Sequence, residues 1–366
     1  MNILGLMSGT SMDGLDLCLA NLSINQEQEL IYKIIASDYI EYDQKTKSII
    51  HDTIFYNSYT ESFIDSYLGE LFANKVVDFI GKNNVDLISS HGQTISHKDR
   101  EYSIQVGQPN IISEKTKTSV ISHFRQKDID FGGNGAPLMP LLDWFLFKSN
   151  KTSVISINIG GISNIAFISN NIDKKNILGF DIGPGMCLID RYVRKIWKKK
   201  YDVDGLLSSK GKIDLNLLKF LMQDPFVNKE PPKSATTEIY NDKYIDNIND
   251  KFSNINNKDI LRTLVNFTAL SISYNLKNHI PDNGFEQFEV AISGGGIKNK
   301  VLFSDIKNQL NGINVYCFNM NGLNTDNKEA FLMCLMGYTK FMNIPNNLPS
   351  VTGAHKEVVC GEIYEF

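Results

Sequence analysis

The sequence predicts an α/β protein that contains two similar strand-rich units. The chain has 366 residues, which corresponds to about two domains of ordinary size. A strand, a glycine turn and a second strand occur at 1–20 and recur at 154–169, roughly 150 residues later, about one domain length. Two glycine hairpins that resemble each other by chance are the alternative to a duplication.

Short or alternating apolar runs predict strands at 1–6, 15–20, 31–40, 85–89, 119–122, 154–159, 164–169, 177–180 and 288–293. Apolar residues at helical spacing predict helices at 63–80, after Pro184, and at 260–276, 297–310 and 325–341. Gly81 is a stop signal for the first helix, and Pro184 is a start signal for the second. The Asn-, Asp- and Lys-rich segment 240–258 predicts a solvated loop, and 358–359 predicts a returning edge strand.

Composition indicates a globular protein and argues against several other classes. Hydrophobic residues make up 42% of the chain, charged residues 21%, and the formal net charge is −4. The one basic run, 194–200, suits the end of a helix, so we expect no nucleic-acid partner. Five scattered cysteines without a C-x-x-C pair predict neither a disulfide framework nor a cysteine zinc site. Without a signal-peptide pattern or an apolar stretch of about 18 residues, we expect a cytoplasmic protein with no membrane contact.

Three glycine turns follow predicted strands. Segment 8–14 combines glycines with hydroxyl side chains, which suits a phosphate, although it matches neither a Walker A loop nor a dinucleotide fingerprint. Segment 158–164 and the triplet 294–296, followed by Asn299, are the other two. Each turn alone is also compatible with an ordinary tight turn. Their co-occurrence favours a nucleotide bound in a cleft.

Asp181 is the principal candidate for a catalytic carboxylate. It lies at the end of a predicted strand, just before the Gly183-Pro184-Gly185 entry to a helix. A carboxylate on a rigid element can act as a general base on a hydroxyl group or a water molecule. The alternative is a helix N-cap, for which aspartate is a preferred residue.

Other polar side chains suggest a binding site for a small polar molecule. His91 and Gln93 follow a predicted strand and are suited to hydrogen-bond a sugar; a second histidine follows at metal-ligand spacing, but no third ligand is near. Arg125 is suited to hold a carboxylate through two parallel hydrogen bonds, or to form a surface ion pair. Asp326 and Glu329 stand at a helix start, where acidic residues are favoured by the helix dipole.

Together these segments resemble the anhydro-N-acetylmuramic acid kinases of bacteria. The matching stretches are GLMSGTSMDGLD (5–16), SHGQT and a histidine (90–97), FRQKDIDFGGNGAPL (124–138), NIGGISN (158–164), GFDIGPG and an aspartate (179–190), PPKS (231–234), SGGGIKN (293–299), TDNKEA (325–330) and LPSVTGA (348–354). They follow the family's order over almost the whole chain.

The resemblance implies two duplicated actin-like ATPase lobes of the ribonuclease H-like type, with ATP in a cleft between them. It implies ATP and Mg²⁺ as cofactors, and a reaction that hydrolyses the ring of 1,6-anhydro-N-acetylmuramic acid and phosphorylates O6. By its match to the family, Asp181 would activate the water. We expect lobe I at 1–130 with about 345–366, and lobe II at 131–344. The resemblance also implies a homodimer, but it does not identify the residues that bind magnesium.

The same resemblance assigns the remaining site residues. Those expected to bind ATP are Ser8, Gly9, Thr10, Ser11, Met12, Asp13, Gly14, Asp16, Gly160, Gly161, Gly294, Gly295, Gly296 and Asn299. Those expected near the sugar are His91, Gln93, Arg125, Asp128 and Glu329.

The sequence departs from the family pattern at four positions. Ile182 and Met186 replace a threonine and an asparagine beside Asp181, His123 replaces an aspartate, and Lys328 stands where an apolar residue is common. Two polar contacts, each worth about 1 kcal/mol if buried, would be lost beside the base. A kinase for another anhydro sugar, such as levoglucosan, and a weakly active paralogue that binds nucleotide or sugar therefore remain alternatives.

Overall fold

The chain forms two compact units in a computed structural model that describes residues 1–9, 12–81, 83–170, 174–235, 239–280 and 288–366. The first unit consists of Met1–Leu146, Asp173–Asn176 and Asn319–Phe366, and the second of Phe147–Ile172 and Ile177–Phe318.

The strands, in chain order, are β1 (Asn2–Ser8), β2 (Gly14–Ile24), β3 (Leu30–Glu41), β4 (Leu87–Lys98), β5 (Tyr102–Val106), β6 (Val120–Ser122), β7 (Ser153–Ile159), β8 (Ile162–Ile168), β9 (Leu178–Pro184), β10 (Phe288–Ser293), β11 (Asn314–Cys317), β12 (Asn319–Met320), β13 (Leu323–Asn324) and β14 (Glu362–Tyr364). The helices are α1 (Gln44–Tyr56), α2 (Glu61–Ile80), α3 (Pro109–Thr116), α4 (Gln126–Asp130), α5 (Met139–Phe147), α6 (Cys187–Trp197), α7 (Leu215–Leu221), α8 (Asp242–Lys251), α9 (Asn257–His279), α10 (Lys300–Gln309), α11 (Lys328–Phe341) and α12 (Pro349–Thr352).

The sheet of the first unit has the strand order β14-β6-β4-β1-β2-β3, with β5 paired to β4. Strand β1 is antiparallel to β2 and parallel to β4, β2 is antiparallel to β3, and β4 is parallel to β6. Leucines of β1 and β2 pack with Phe72 of α2 in a buried core. Period-2 alternation therefore places the apolar residues of these strands against helices, as the sequence predicts.

The sheet of the second unit repeats this arrangement with the order β11-β10-β7-β8-β9. Strand β7 is antiparallel to β8 and parallel to β10, β8 is antiparallel to β9, and β10 is parallel to β11. Thus β7, β8, β9, β10 and β11 correspond to β1, β2, β3, β4 and β6 in both order and direction. The prediction of an α/β fold with two similar units is confirmed.

Three local predictions were wrong. Segment 240–258 contains helix α8, capped by the Asn241 side chain, with Ile245 and Ile248 buried in the second unit's core. The returning edge strand is β14, which pairs antiparallel with β6 and begins three residues beyond the predicted 358–359. His91 does not follow a strand but lies within β4, because that strand continues along β5.

The boundaries of the compact units also differ from the predicted lobes. Residues 131–146 and 319–344 belong to the first unit rather than to the second. For the second of these segments the reason is helix α11, which packs on β1, β2 and β4 of the first sheet. Among the helices of the described residues, none combines the length and the apolar character needed to cross a bilayer.

Gly5, on the central strand β1, allows helix α11 to approach the sheet closely. A Cβ atom at this position would lie 1.9 Å from the Ala330 carbonyl oxygen and 2.9 Å from Cys334 Sγ. Real Cβ atoms do not come so close to backbone, so the helix or the strand would have to shift.

We expect Gly5→Ala to destabilise the protein by about 3 kcal/mol, because the added methyl group overpacks a rigid backbone contact. The matched control is Gly81→Ala, whose Cβ would meet its nearest atom at an ordinary 3.8 Å. Urea unfolding followed by circular dichroism measures both, and equal stability of the two variants would contradict the close packing described.

Candidate functional site

The predicted phosphate loop joins β1 to β2, and its ends are fixed by hydrogen bonds. Ser8 Oγ lies 2.7 Å from the Tyr42 hydroxyl and donates to Gln93 Oε1 at 2.6 Å. Within the turn, the Met12 amide donates to the Gly9 carbonyl at 3.1 Å, and Met12 adopts a φ of 56°. Gln93, expected near the sugar, is therefore joined directly to the first residue of this loop.

The other residues of this segment that are expected to bind ATP either lie outside the described part of the chain or contact neighbouring strands. Thr10 and Ser11 lie outside the described residues. Asp13 accepts the Tyr42 amide on its carbonyl oxygen at 2.9 Å. A Cβ at Gly14 would lie 2.5 Å from the Ile40 carbonyl oxygen, so packing against β3 accounts for this glycine. Asp16 lies on β2, opposite Met7 of β1. ATP contacts of this loop stay a prediction.

Arg125 and His91 form a buried pair in the first unit. Arg125 donates from Nε and Nη2 to His91 Nε2, at 3.1 and 3.0 Å, and from Nη1 to the Gly135 carbonyl at 2.8 Å. Because His91 Nε2 is the acceptor, Nδ1 carries the proton and donates to the Gly92 carbonyl at 2.9 Å. Burial, with a smaller contribution from the Arg125 charge, lowers the pKa of His91 to about 3. His91 is thus a neutral residue that orients Arg125, and burial lowers the pKa of Arg125 itself to about 10.

Asp128, on helix α4, is a buried hydrogen-bond acceptor for the Gly132–Pro137 segment that follows. Its Oδ2 accepts the Gly135 amide at 2.8 Å, and its Oδ1 accepts from Asn347 Nδ2 at 2.7 Å and Thr352 Oγ1 at 2.8 Å. With both oxygens engaged and 1% of the residue exposed, Asp128 ties this segment to the C-terminal part of the chain. These contacts explain the residue structurally, and its predicted sugar contact stays a prediction.

Glu329 lies in the first turn of α11 and is partly buried. Burial raises the pKa of this carboxyl group, while the positive charges of Lys328 and Arg125 act in the opposite direction. Its neighbour Lys328 is buried and pairs with Asp143 at 2.6 Å. The departure from an apolar residue at 328 is therefore compensated by a carboxylate of α5. Arg125 and Glu329, both predicted near the sugar, influence each other electrostatically.

Asp181 lies within β9 of the second unit, opposite Asn164 of β8, and is partly buried. Its Oδ2 accepts the Ala235 amide at 2.8 Å and the Ser234 hydroxyl at 3.4 Å. The residue at the N-cap position of α6 is Met186, so Asp181 is not that helix's cap. Of the two sequence-based interpretations, the N-cap is wrong, and the general base stays a prediction.

Gly160 and Gly161 fix the start of helix α6. The Gly160 carbonyl accepts the Met186 amide at 2.8 Å, and the Gly161 carbonyl accepts the Gly185 and Cys187 amides at 2.9 and 3.1 Å. A Cβ at Gly185 would lie 2.3 Å from the Gly160 carbonyl oxygen. These contacts use amide groups that a helix N-terminus otherwise presents to an anion.

The triplet 294–296 connects β10 to α10. Gly294 has a φ of 88°, and a Cβ there would lie 2.6 Å from the Ile159 carbonyl oxygen. A Cβ at Gly296 would lie 2.3 Å from Ile159 Cγ2, whereas one at Gly295 would meet no atom within 4 Å. Asn299 is the N-cap of α10 and accepts two amides at 3.1 Å on Oδ1. Packing thus explains the first and third glycines, and Gly295 borders open space.

Two of the departures from the family pattern fit the core. Ile182 is fully buried in the apolar core of the second unit, and Met186 packs against that core. His123 adopts a φ of 59° and its ring lies 5.8 Å from that of Tyr364.

Sequence reasoning missed the residue that holds the segment beside Asp181. Lys233, 5% exposed, donates to the carbonyl groups of Phe226 and Val227 and to Asn275 Oδ1, at 3.2, 2.9 and 2.7 Å. The sequence feature that could have drawn attention to Lys233 is the double proline that precedes it, because proline restricts the backbone conformation of a segment. Asn275, on α9, and Asn347, between α11 and α12, are both buried, and neither carried a pattern that distinguishes it from ordinary polar residues.

The described ranges contain no group of three or more His, Cys, Asp or Glu side chains placed to hold a metal ion.

Comparisons with known proteins agree with the sequence motifs. The family model described as anhydro-N-acetylmuramic acid kinase matches residues 1–366. A protein of Clostridioides difficile (strain 630) named anhydro-N-acetylmuramic acid kinase is 36% identical over 99% of this chain and 98% of its own. One of Bacillus cereus (strain AH820) with the same name is 33% identical over 99% of each. Among solved structures, the activator of the 2-hydroxyisocaproyl-CoA dehydratase from Clostridium difficile with bound ADPNP is 13% identical with a TM-score of 0.43, covering 95% of this chain and 99% of that one.

The match of the family model to the whole length, together with relatives above 30% identity over nearly complete chains, shows that this chain belongs to the anhydro-N-acetylmuramic acid kinase family and is a kinase that transfers phosphate to a sugar hydroxyl group.

Proposed function

We propose that the chain converts 1,6-anhydro-N-acetylmuramic acid, water and ATP into N-acetylmuramic acid 6-phosphate and ADP. The observation that supports this most directly is the carboxylate of Asp181, held on β9 by the Ala235 amide and the Ser234 hydroxyl. Membership of the family adds the substrate that its relatives' names carry. The proposal places the enzyme in the recycling of cell-wall sugars in the cytoplasm, as a homodimer.

In this reaction Asp181 acts as a general base. It removes a proton from a water molecule that attacks C1 of the sugar, and the bond between C1 and O6 breaks. The electron pair of that bond remains on O6, which then attacks the γ-phosphorus of ATP, and ADP leaves. One carboxylate therefore suffices, because O6, which is released from the anhydro bridge, becomes the nucleophile and needs no separate base.

Nucleotide binding is assigned to the glycine turns. Gly295 borders open space, and two buried polar atoms near these turns, Ser163 Oγ and Asn299 Nδ2, have no hydrogen-bond partner within the described part of the chain. Both features suit a polar ligand that lies against backbone. Mg²⁺ bound with ATP supplies charge neutralisation of the phosphates, and such ions take one or two carboxylates besides phosphate oxygens. The absence of a larger acidic cluster among the described residues is compatible with this mode.

The sugar is assigned to His91, Gln93, Arg125, Asp128 and Glu329. Within the part of the chain that the structure describes, His91 and Gly135 take three of the five guanidinium N–H groups of Arg125, and we assign the other two to a substrate carboxylate. The lactyl carboxylate of anhydro-N-acetylmuramic acid is such a group, and levoglucosan lacks it. This favours the muramic acid sugar over the alternative anhydro sugar.

We expect the purified protein, given the anhydro sugar, ATP and Mg²⁺ in oxygen-18 water, to release ADP and a sugar phosphate that carries one heavy oxygen. Mass spectrometry of the product measures the label, and levoglucosan is the control sugar. Phosphorylation without the label would refute coupled ring hydrolysis. Nucleotide binding without any product would favour the paralogue that only binds its ligands.

Asp181→Asn should lower kcat by about 10³-fold, because an amide cannot accept the proton of water. ATP binding, measured by calorimetry, should remain close to that of the wild type. The matched control is Asp204→Asn in the same unit, at an exposed position with a φ of 54° that asparagine tolerates. Unchanged turnover in Asp181→Asn would remove this residue from the mechanism.

A further inference from the structure

Lys233 is a charged residue in an almost entirely buried position of the second unit. Its ammonium group donates to three neutral oxygens, the carbonyls of Phe226 and Val227 and Asn275 Oδ1. It also lies 5.7 Å from the centre of the Phe180 ring and 5.4 Å from that of Phe226. Burying a cation is costly unless its hydrogen bonds are satisfied, and here three acceptors match its three donors.

Lys233 and the two residues after it form hydrogen bonds with Asp181. The Lys233 carbonyl accepts the Asp181 amide at 3.0 Å. The next two residues, Ser234 and Ala235, donate to Asp181 Oδ2. The main chain of 233–235 therefore contacts both the backbone and the carboxylate of Asp181. The Lys233 side chain anchors this segment to helix α9 through Asn275.

Several charges act on this ammonium group. Burial lowers the pKa of Lys233 to about 8, while Glu230, Asp181 and Asp224 raise it and Lys229 lowers it further. His279, on the same helix as Asn275, has a pKa that is lowered by burial and by the Lys233 charge. Since coupling between two charges is reciprocal, a cation that Asp181 stabilises also stabilises the ionised form of Asp181.

We propose that Lys233 is a positioning residue for the reaction, which holds segment 233–235 against Asp181 and supplies a positive charge that favours the ionised form of this carboxylate. The inference rests on the proposed role of Asp181 as the base. Loss of the Lys233 proton then weakens both effects, so activity falls on the alkaline side as well as on the acidic side.

The test compares pH profiles of kcat for the wild type, Lys233→Met, Lys233→Arg and the control Lys251→Met. Lys251 is an exposed lysine of the same unit, 4.5 Å from the Phe220 ring centre. Lys233→Met should lower kcat by about tenfold or more and move the acidic limb upward by about one pH unit, because Asp181 loses a stabilising cation. Lys233→Arg should keep the acidic limb and lose the alkaline limb near pH 8, because arginine stays charged. Lys251→Met should match the wild type.

A wild-type acidic limb in Lys233→Met, or an alkaline limb that Lys233→Arg does not move, would overturn the inference. A fall in kcat without movement of either limb would indicate a purely structural role and would also overturn it. If Lys233→Met fails to fold, the alkaline limb of Lys233→Arg decides alone.

A second measurement separates this inference from the proposed reaction. Carboxyl carbon NMR of aspartate-labelled enzyme, with the signal assigned by Asp181→Asn, follows the ionisation of Asp181 without substrate. A higher midpoint in Lys233→Met supports the inference even if the anhydro sugar is not turned over, an outcome that would refute only the reaction. Turnover of the sugar with an unchanged midpoint would refute only the action of Lys233.

Discussion

Close approach of backbone to backbone at the central strands is the constraint on which both units depend. In the first unit the absence of a side chain at Gly5 lets α11 contact β1, and this contact assigns 319–344 to that unit. In the second unit, Gly185 lets the start of α6 lie against the turn that follows β7. Gly294 lets the 294–296 turn lie against the end of β7. Glycines that suggest a phosphate site in the sequence are therefore also packing residues, which is why a glycine motif alone does not identify a ligand site.

The buried charges of the first unit are compensated in different ways. Asp128 accepts hydrogen bonds from an amide, a side-chain amide and a hydroxyl group, whereas Lys328 pairs with a carboxylate. Arg125 is hydrogen-bonded to a histidine and a carbonyl, both neutral, while the carboxylates of Asp128 and Glu329 favour its charged form without a direct hydrogen bond among the described contacts. Satisfied groups such as Asp128 stabilise the fold, while a cation with neutral partners is suited to a charged ligand.

Strongly periodic sequence patterns predicted the fold well. They did not predict the side-chain interactions that depend on tertiary contacts. The alternation of β2 and the spacing of α2 were sufficient to locate both elements, and the repeated hairpin predicted the duplication. Polar composition hid α8, since only Ile245 and Ile248 of its ten residues are buried. The residues around Arg125 in the first unit were singled out from their side-chain chemistry and assigned to the sugar by the family resemblance, but the His91 hydrogen bonds that orient Arg125 appear only in the structure. Lys233 escaped because its three acceptors, two nearby backbone carbonyls and the Asn275 side chain, are brought together only by the tertiary fold.

The position of Asp181 on a strand explains how the departures beside it are compatible with a reactive carboxylate. Successive side chains of a strand point to opposite faces, so Ile182 lies in the core while Asp181 lies on the other face. An isoleucine at 182 therefore removes no contact from the face on which the carboxylate lies. The carbonyls of Gly160 and Gly161 accept the first amides of α6, so Asp181 is not drawn into a helix cap and its orientation depends on segment 233–235 instead. The orientation of Asp181 therefore does not depend on a cap contact with helix α6. Residue 182 can accordingly vary without displacing the carboxylate.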